Sequence, residues 1–146
     1  MTKDLPDFDL ARFLPYRLTV AGDRLSAGLA RRYRQDFGIS VAEWRVLVHL
    51  ADEGAVSIRD LERRVSLEKS KASRAAARLA QDGYITKIPN PEDRRLLRLS
   101  LSDKGRALMA ELLPLAADYQ ARLEALLSEE LDALHRALDR VMAEDL

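Results

Sequence analysis

The chain has 146 residues, 47% of them hydrophobic and 33% charged, with six Gly, five Pro and no Cys. Such a composition describes one soluble, helix-rich domain and excludes disulfides, Cys-ligated zinc, iron–sulfur clusters and thiol redox sensing. The formal net charge of zero conceals a split: residues 57–106 hold thirteen basic and seven acidic groups, residues 107–146 hold three and nine, and residues 1–56 hold eight of each. A polyanion would bind the middle block.

In chain order, Leu10, Leu14, Leu18, Ala21, Leu25, Leu29, Tyr33 and Phe37 recur three or four apart and predict one long amphipathic helix over 8–37, with Pro15 setting its start or kinking it and Gly38 ending it. Ser40 and Glu43 read as a capping box for a second helix that carries Trp44, Leu47, Val48 and Ala51 to Gly54. Ser57-Ile-Arg-Asp60 opens a short third helix burying Leu61 and Val65, and a break at 65–67 follows. A fourth helix over about 68–82 turns Ala72, Ala76 and Leu79 inward and stops at Gly83. The period then changes to two. Tyr84–Ile88 and Leu96–Leu101 read as the strands of a β-hairpin, in which Leu97, Leu99 and Leu101 alternate with Arg98 and Ser100 around a charged tip holding two prolines. Ser102 caps a fifth helix with the stripe Leu108, Leu112, Leu115, Tyr119, Leu123 and Leu126, which Pro114 should bend. Ser128-Glu-Glu130 is expected to cap a last helix that presents Leu131, Leu134, Leu138 and Val141.

A short helix, a turn, a second helix and a hairpin form a winged helix-turn-helix, and the second helix of such a pair enters the major groove of DNA. That helix needs a small inner face, supplied by Ala72 and Ala76, and short polar or basic residues outside. Lys69, Ser70, Lys71, Ser73, Arg74 and Arg78 are therefore the candidate contacts, since Arg pairs bidentately with guanine and Ser or Lys bonds base edges or phosphates. At the hairpin tip Arg94 and Arg95 are candidates for the narrow, electronegative minor groove, with Asp93 holding a guanidinium in one rotamer.

The stretch Gly83-Tyr-Ile-Thr-Lys-Ile-Pro-Asn-Pro-Glu-Asp-Arg-Arg-Leu-Leu-Arg-Leu-Ser-Leu-Ser-Asp-Lys-Gly105 resembles the wing signature of the MarR-type transcriptional regulators, and Ser40-Val-Ala-Glu-Trp-Arg-Val-Leu47 resembles the start of that family's second helix. The resemblance covers nearly the whole chain. It implies a single MarR-type domain over 1–146 that forms a triangular twofold dimer: helices at about 8–37 and 103–146 make the base, and about 40–101 is the winged DNA-binding module. By position it places Lys69, Ser70, Lys71, Ser73 and Arg74 on the recognition helix and Arg94 or Arg95 on the wing tip. The chain departs from the pattern at its Lys-Ser-Lys opening and Ala72, where many relatives carry a more apolar β-branched residue. The residues argue for a dimer too: stripes of eight, six and four apolar positions on the terminal helices exceed what a small winged module covers alone.

Relatives of this type often bind small aromatic ligands between base and module, and the run Phe13-Leu-Pro-Tyr-Arg17 looks like those that respond to aromatic acids or their thioesters. Tyr16, Arg17, Trp44 and Arg45 are the candidate pocket, aromatic walls plus a cation for a carboxylate. Sensing through cysteine is excluded. The two histidines, His49 and His135, lie far apart without metal-site spacing, and there is no phosphate loop or nucleophile elbow, so neither cofactor, metal nor catalysis is expected. MTKDLPDFDL does not read as a signal peptide and no apolar run is long enough to span a bilayer, so a cytoplasmic protein without membrane partners is expected. The resulting expectation is a ligand-responsive repressor that binds a palindromic operator in double-stranded DNA. The alternative is a winged-helix adaptor whose basic wing docks an acidic protein.

Overall fold

The computed structural model describes residues 4–65, 69–93 and 97–146. Its helices are α1 (Leu14–Phe37), α2 (Val41–Glu53), α3 (Ile58–Arg64), α4 (Lys69–Gln81), α5 (Asp103–Leu127) and α6 (Leu131–Ala143). Its strands are β1 (Val56–Ser57), β2 (Ile85–Pro89) and β3 (Leu97–Leu101). Short 3-10 turns at Leu10–Arg12 and Ser128–Glu130 precede α1 and α6.

Local chemistry sets most of these boundaries. Ser40 Oγ accepts from the Glu43 N–H at 3.1 Å and Glu43 Oε1 accepts from the Ser40 N–H at 3.3 Å, the reciprocal capping expected for α2. Ser57 and Ser102 cap α3 and α5 through the serine oxygen alone, accepting from the Asp60 and Gly105 amides at 3.1 and 3.0 Å. Gly38 and Gly83 take positive φ of 67° and 82°, which lets the chain leave α1 and α4 without a Cβ clash. α5 continues through Pro114, which lacks the N–H that would bond the Ala110 carbonyl.

Three expectations are corrected. The first helix begins at Leu14 rather than near residue 8, because Pro15 falls in its first turn, where its missing N–H costs nothing; Leu10 lies in the separate 3-10 turn. Ser128 does not cap the last helix: it closes α5 with φ of 48°, and α6 starts at Leu131 without a side-chain cap. The hairpin gains a third strand, because β1 pairs antiparallel with β3 and gives the order β1-β3-β2. Ser66, Leu67, Glu68 and Leu96, expected at the break, the start of the fourth helix and the start of the second wing strand, lie outside the described residues.

The register sets Ile85 opposite Leu101, Lys87 opposite Leu99 and Pro89 opposite Leu97. Leu99 is buried, Leu101 half-buried and Leu97 exposed, so the burial expected at alternate positions along β3 fades toward the tip. The core lies where the winged elements meet the middle of the chain: Val46, Leu47 and Leu50 of α2, Leu61 of α3, Leu79 of α4, Ile85 and Leu99 of the wing, and Met109 and Leu112 of α5. Each such side chain contributes about 1.5–3 kcal/mol on burial. The two ends of the chain differ. α6 buries none of its side chains, and Phe8, Leu14, Leu18, Leu25, Leu126, Leu134, Val141 and Met142 are exposed.

Candidate nucleic-acid interface

α4 lies close to its scaffold because its inner face is almost all methyl. Ala72, Ala75, Ala76 and Leu79 are 0–6% exposed, and they pack against α2, α3 and the wing. Successive residues turn about 100° around a helix, so Ser70, Arg74 and Ala77 point furthest from that buried side. Lys71 and Arg78 flank them toward α2 and Ser73 flanks them toward the wing. Ser70, Lys71, Ser73, Arg74 and Arg78 are all exposed. Lys69 begins the helix.

Arg78 has a second engagement. Its Nε lies 4.0 Å from Glu43 Oε1, the same oxygen that closes the α2 capping box. Glu43 is the one buried charged residue among those described, and the pair draws the last turn of α4 onto the first turn of α2. Arg78 therefore stands apart from the outward face that carries Ser70 and Arg74.

The wing packs against α4 through β2. At its tip Asn90 Oδ1 accepts from the Glu92 N–H at 2.9 Å, closing a tight polar turn. Arg94 and Arg95, the expected minor-groove residues, lie outside the described residues. The base of the wing is bonded to α5. The Ser102 N–H donates to the Tyr84 carbonyl at 3.0 Å, and Ser102 Oγ donates to the Gly83 carbonyl at 2.5 Å while it caps α5. Lys104 Nζ donates to the Asp82 carbonyl at 2.7 Å and sits 4.6 Å from the centre of the Tyr84 ring. Gly105 lies so close to the Tyr84 carbonyl that a Cβ there would overlap it. The end of α4, the start of β2 and the start of α5 thus form one junction.

The four residues expected to line a ligand pocket do not come together within one protomer. Trp44 is half-buried and stacks on Tyr33 with ring centres 5.3 Å apart. Arg45 reaches Ser26 Oγ on α1 at 3.5 Å. Tyr16 and Arg17 are exposed on the first turn of α1, about 15 Å along the helix from Ser26 at 1.5 Å per residue. Burial pushes the Tyr33 phenol above its usual range, an effect that the Arg34 and Arg45 charges partly offset, so the ring beside Trp44 stays neutral. Further along, the Tyr119 hydroxyl of α5 donates to the Leu25 carbonyl of α1 at 2.9 Å, and Gly28 leaves room for it. His49 Nδ1 is 2.6 Å from the Arg45 carbonyl and His135 is exposed on α6. Among the described residues no group of three His, Cys, Asp or Glu could hold a metal ion, and no helix is long and apolar enough to cross a membrane.

This arrangement can be set beside known proteins. The family model for the MarR family matches residues 37–96. An uncharacterized HTH-type transcriptional regulator of Mycobacterium bovis, Mb0904, is 31% identical over 128 residues, 86% of this chain and 88% of its own length. The chain belongs to the MarR family. Members of this family are transcriptional regulators, not enzymes. The HTH-type transcriptional repressor MdtR of Bacillus subtilis is 32% identical over 100 residues, 67% of this chain and 64% of its own length. The match to the regulator BilQ of Clostridioides difficile spans 45% of that protein. Among solved structures, the MarR family regulator SPO1453 of Silicibacter pomeroyi superposes with a TM-score of 0.79 at 28% identity, covering 93% of this chain and 99% of that one. BpsR of Bordetella bronchiseptica, whose DNA binding is regulated by 6-hydroxynicotinic acid, shares the fold with a TM-score of 0.81 at 23% identity, covering 96% and 100%.

Proposed function

We propose that the protein is a dimeric repressor that reads a palindromic operator with two copies of α4 in successive major grooves and is released by a small aromatic acid or its thioester. The observation that carries the DNA part is the two-sidedness of α4: a methyl-lined inner face that seats it close to the scaffold, and an outer face of Ser70, Lys71, Ser73 and Arg74 free of apolar bulk. Ser70 and Arg74 are assigned to base edges, Lys69, Lys71 and Ser73 to edges or phosphates, and Arg94 and Arg95 to the minor groove. Arg78 is assigned to the α2 contact first and to phosphate second.

The exposed apolar side chains of α1 and α6 support the twofold base. A lone protomer would present Leu14, Leu18, Leu134 and Val141 to water, and two copies crossing at these helices would cover them. Residues 8–37 and 103–146 then serve as the base and 40–101 as the reading module, with recognition helices about 34 Å apart. In this assembly the acidic end of the chain faces away from DNA. The effector assignment draws on the Trp44–Tyr33 stack beside Arg45, with Tyr16 and Arg17 supplied by the second copy, and on the aromatic acid named for the Bordetella relative.

The test is titration of a duplex from the region upstream of the protein's own gene, followed by calorimetry with a panel of benzoates and their coenzyme A thioesters. Taking the population from mostly bound to mostly released requires about 5 kcal/mol of preference for the released form, and by linkage DNA must weaken the effector's affinity by the same factor. Equal effector affinity with and without saturating operator would rule out release by ligand. Absence of specific binding to any upstream palindrome would rule out the operator reading.

A further inference from the structure

On its buried side α4 is held mainly by methyl groups. Ala72, Ala75 and Ala76 are 0–6% exposed, and Leu79 is the one large side chain among them. An alanine face brings a helix close to its neighbours, but it is smooth and interlocks little with what it touches. It therefore resists a turn of the helix about its own axis only weakly. Such a turn matters on the outer face. Side-chain ends about 5–6 Å from the axis move about 1 Å for a turn of about 10°. Hydrogen bonds are lost over less than that.

The polar tie on the α2 side is Arg78. Its Nε lies 4.0 Å from Glu43 Oε1, and among the described residues this is the one ion pair between α4 and another element. The Glu43 side chain is 11% exposed and that of Arg78 52%, so solvent screens this pair less than the surface pairs Arg63–Asp60 and Arg64–Glu53. Glu43 is held in place, because Oε1 also accepts from the Ser40 N–H at 3.3 Å in the capping box that starts α2. The carboxylate is thus a fixed charge on the scaffold. Arg78, on the last turn of α4, is a handle on the helix whose outward residues Arg74 and Ser70 lie one and two turns earlier.

We propose that Glu43 is a positioning residue for sequence reading: through Arg78 it sets the rotation of α4, and so where Ser70 and Arg74 meet base edges, without touching DNA itself. The proposal rests on the reading that α4 occupies the major groove. Removing a carboxylate from a protein that binds a polyanion ordinarily tightens binding to every sequence. Removing this one should instead weaken binding to the sequence the protein prefers and to no other.

The experiment uses the full chain and two duplexes, one selected by the protein from a random-sequence pool and one of mixed sequence, with affinities read by fluorescence anisotropy at fixed salt. Glu43→Gln keeps an oxygen for the Ser40 N–H, since glutamine also closes capping boxes, but removes the charge that holds Arg78. At 4.0 Å the attraction is Coulombic, and an amide does not replace it. The variant should lose about fivefold on the selected duplex, the upper end for a partly exposed ion pair, and bind the mixed duplex no more weakly than the wild type. Arg78→Gln should lose at least as much on the selected duplex, and adding Glu43→Gln to it should cost nothing more. Wild-type or tighter binding of the selected duplex by Glu43→Gln overturns the proposal, as does the same cost of Glu43→Gln in the Arg78→Gln background. If thermal melting shows that Glu43→Gln destabilises the fold, Arg78→Gln, which leaves the capping box intact, decides alone. Preference relaxed at several base pairs at once then supports the proposal, and relaxation at one pair, or equal losses on the two duplexes, overturns it. All of these outcomes leave the groove reading standing. A wild-type protein that selects no sequence from the pool removes that reading and the proposal with it.

Discussion

Ser102 joins three elements through one hydroxyl, and replacing it tests the junction. Ser102→Ala removes the N-cap of α5, a loss worth about 1 kcal/mol, and the bond from Oγ to the Gly83 carbonyl, worth a further 0.5–1.5 kcal/mol or about that. The sum is about 2 kcal/mol. For a protein of this size it corresponds to a fall in Tm of about 4–8 °C, read by circular dichroism at matched protein concentration so that assembly does not confound the comparison. Ser102→Asp separates the two terms. A carboxylate still accepts from the Gly105 amide but has no proton for Gly83, and it sets an oxygen with negative charge against that carbonyl. It should therefore recover none of the second term. If Ser102→Ala melted within about 1 °C of the wild type, the junction would not be the tie that its geometry describes.

Leu134→Glu places a charge on the exposed apolar face of α6 and should convert the assembly to a 16.5 kDa species in sedimentation, whereas a dimer that persists would remove α6 from the interface. Arg74→Ala should cost about 1–3 kcal/mol on the operator and relax preference at one base pair, while Lys71→Ala should weaken all sequences alike; an unchanged operator titration for Arg74→Ala would refute the groove assignment. Tyr33 has a raised folded pKa, so its neutral form favours the folded state below the ordinary tyrosine value of 10.0, and that contribution is lost as pH rises through the folded value. In an ultraviolet titration one of the four tyrosines should ionise later than the rest and together with unfolding, and four phenols titrating alike would contradict the burial.

What could be read in the sequence was what local chemistry decides. Ser40 with Glu43, Ser57 with Asp60 and Ser102 with Gly105 are spacings in which one side chain meets an amide three residues on, so the helix starts needed no tertiary knowledge. The alanines of α4 stood out because three-residue and four-residue steps put them on one side. Non-local terms decided the remainder. β1 is two residues long and exists because β3 offers it a partner. Ser128 has a capping residue's composition, but the chain reverses there through a positive φ and its hydroxyl caps nothing. Arg78 reads as one more cation on a basic helix until α2 brings Glu43 beside it. Within a protomer Tyr16 and Arg17 stand apart from Trp44 and Arg45 because α2 meets α1 at Ser26 and Tyr33, several turns from the start of α1, and no sequence pattern gives where two helices touch.

The junction at Ser102 also turns α5 into a lever. The helix has 25 residues and is therefore about 37 Å long, and it is bonded to the winged module at one end while its other end lies among exposed apolar side chains near α6. A tilt of about 2° about the far end displaces the near end by about 1.3 Å. Hydrogen bonds are lost over a few tenths of an ångström beyond about 3.2 Å, so on the proposed groove reading a rotation of this size is large enough to take α4 out of register with base edges.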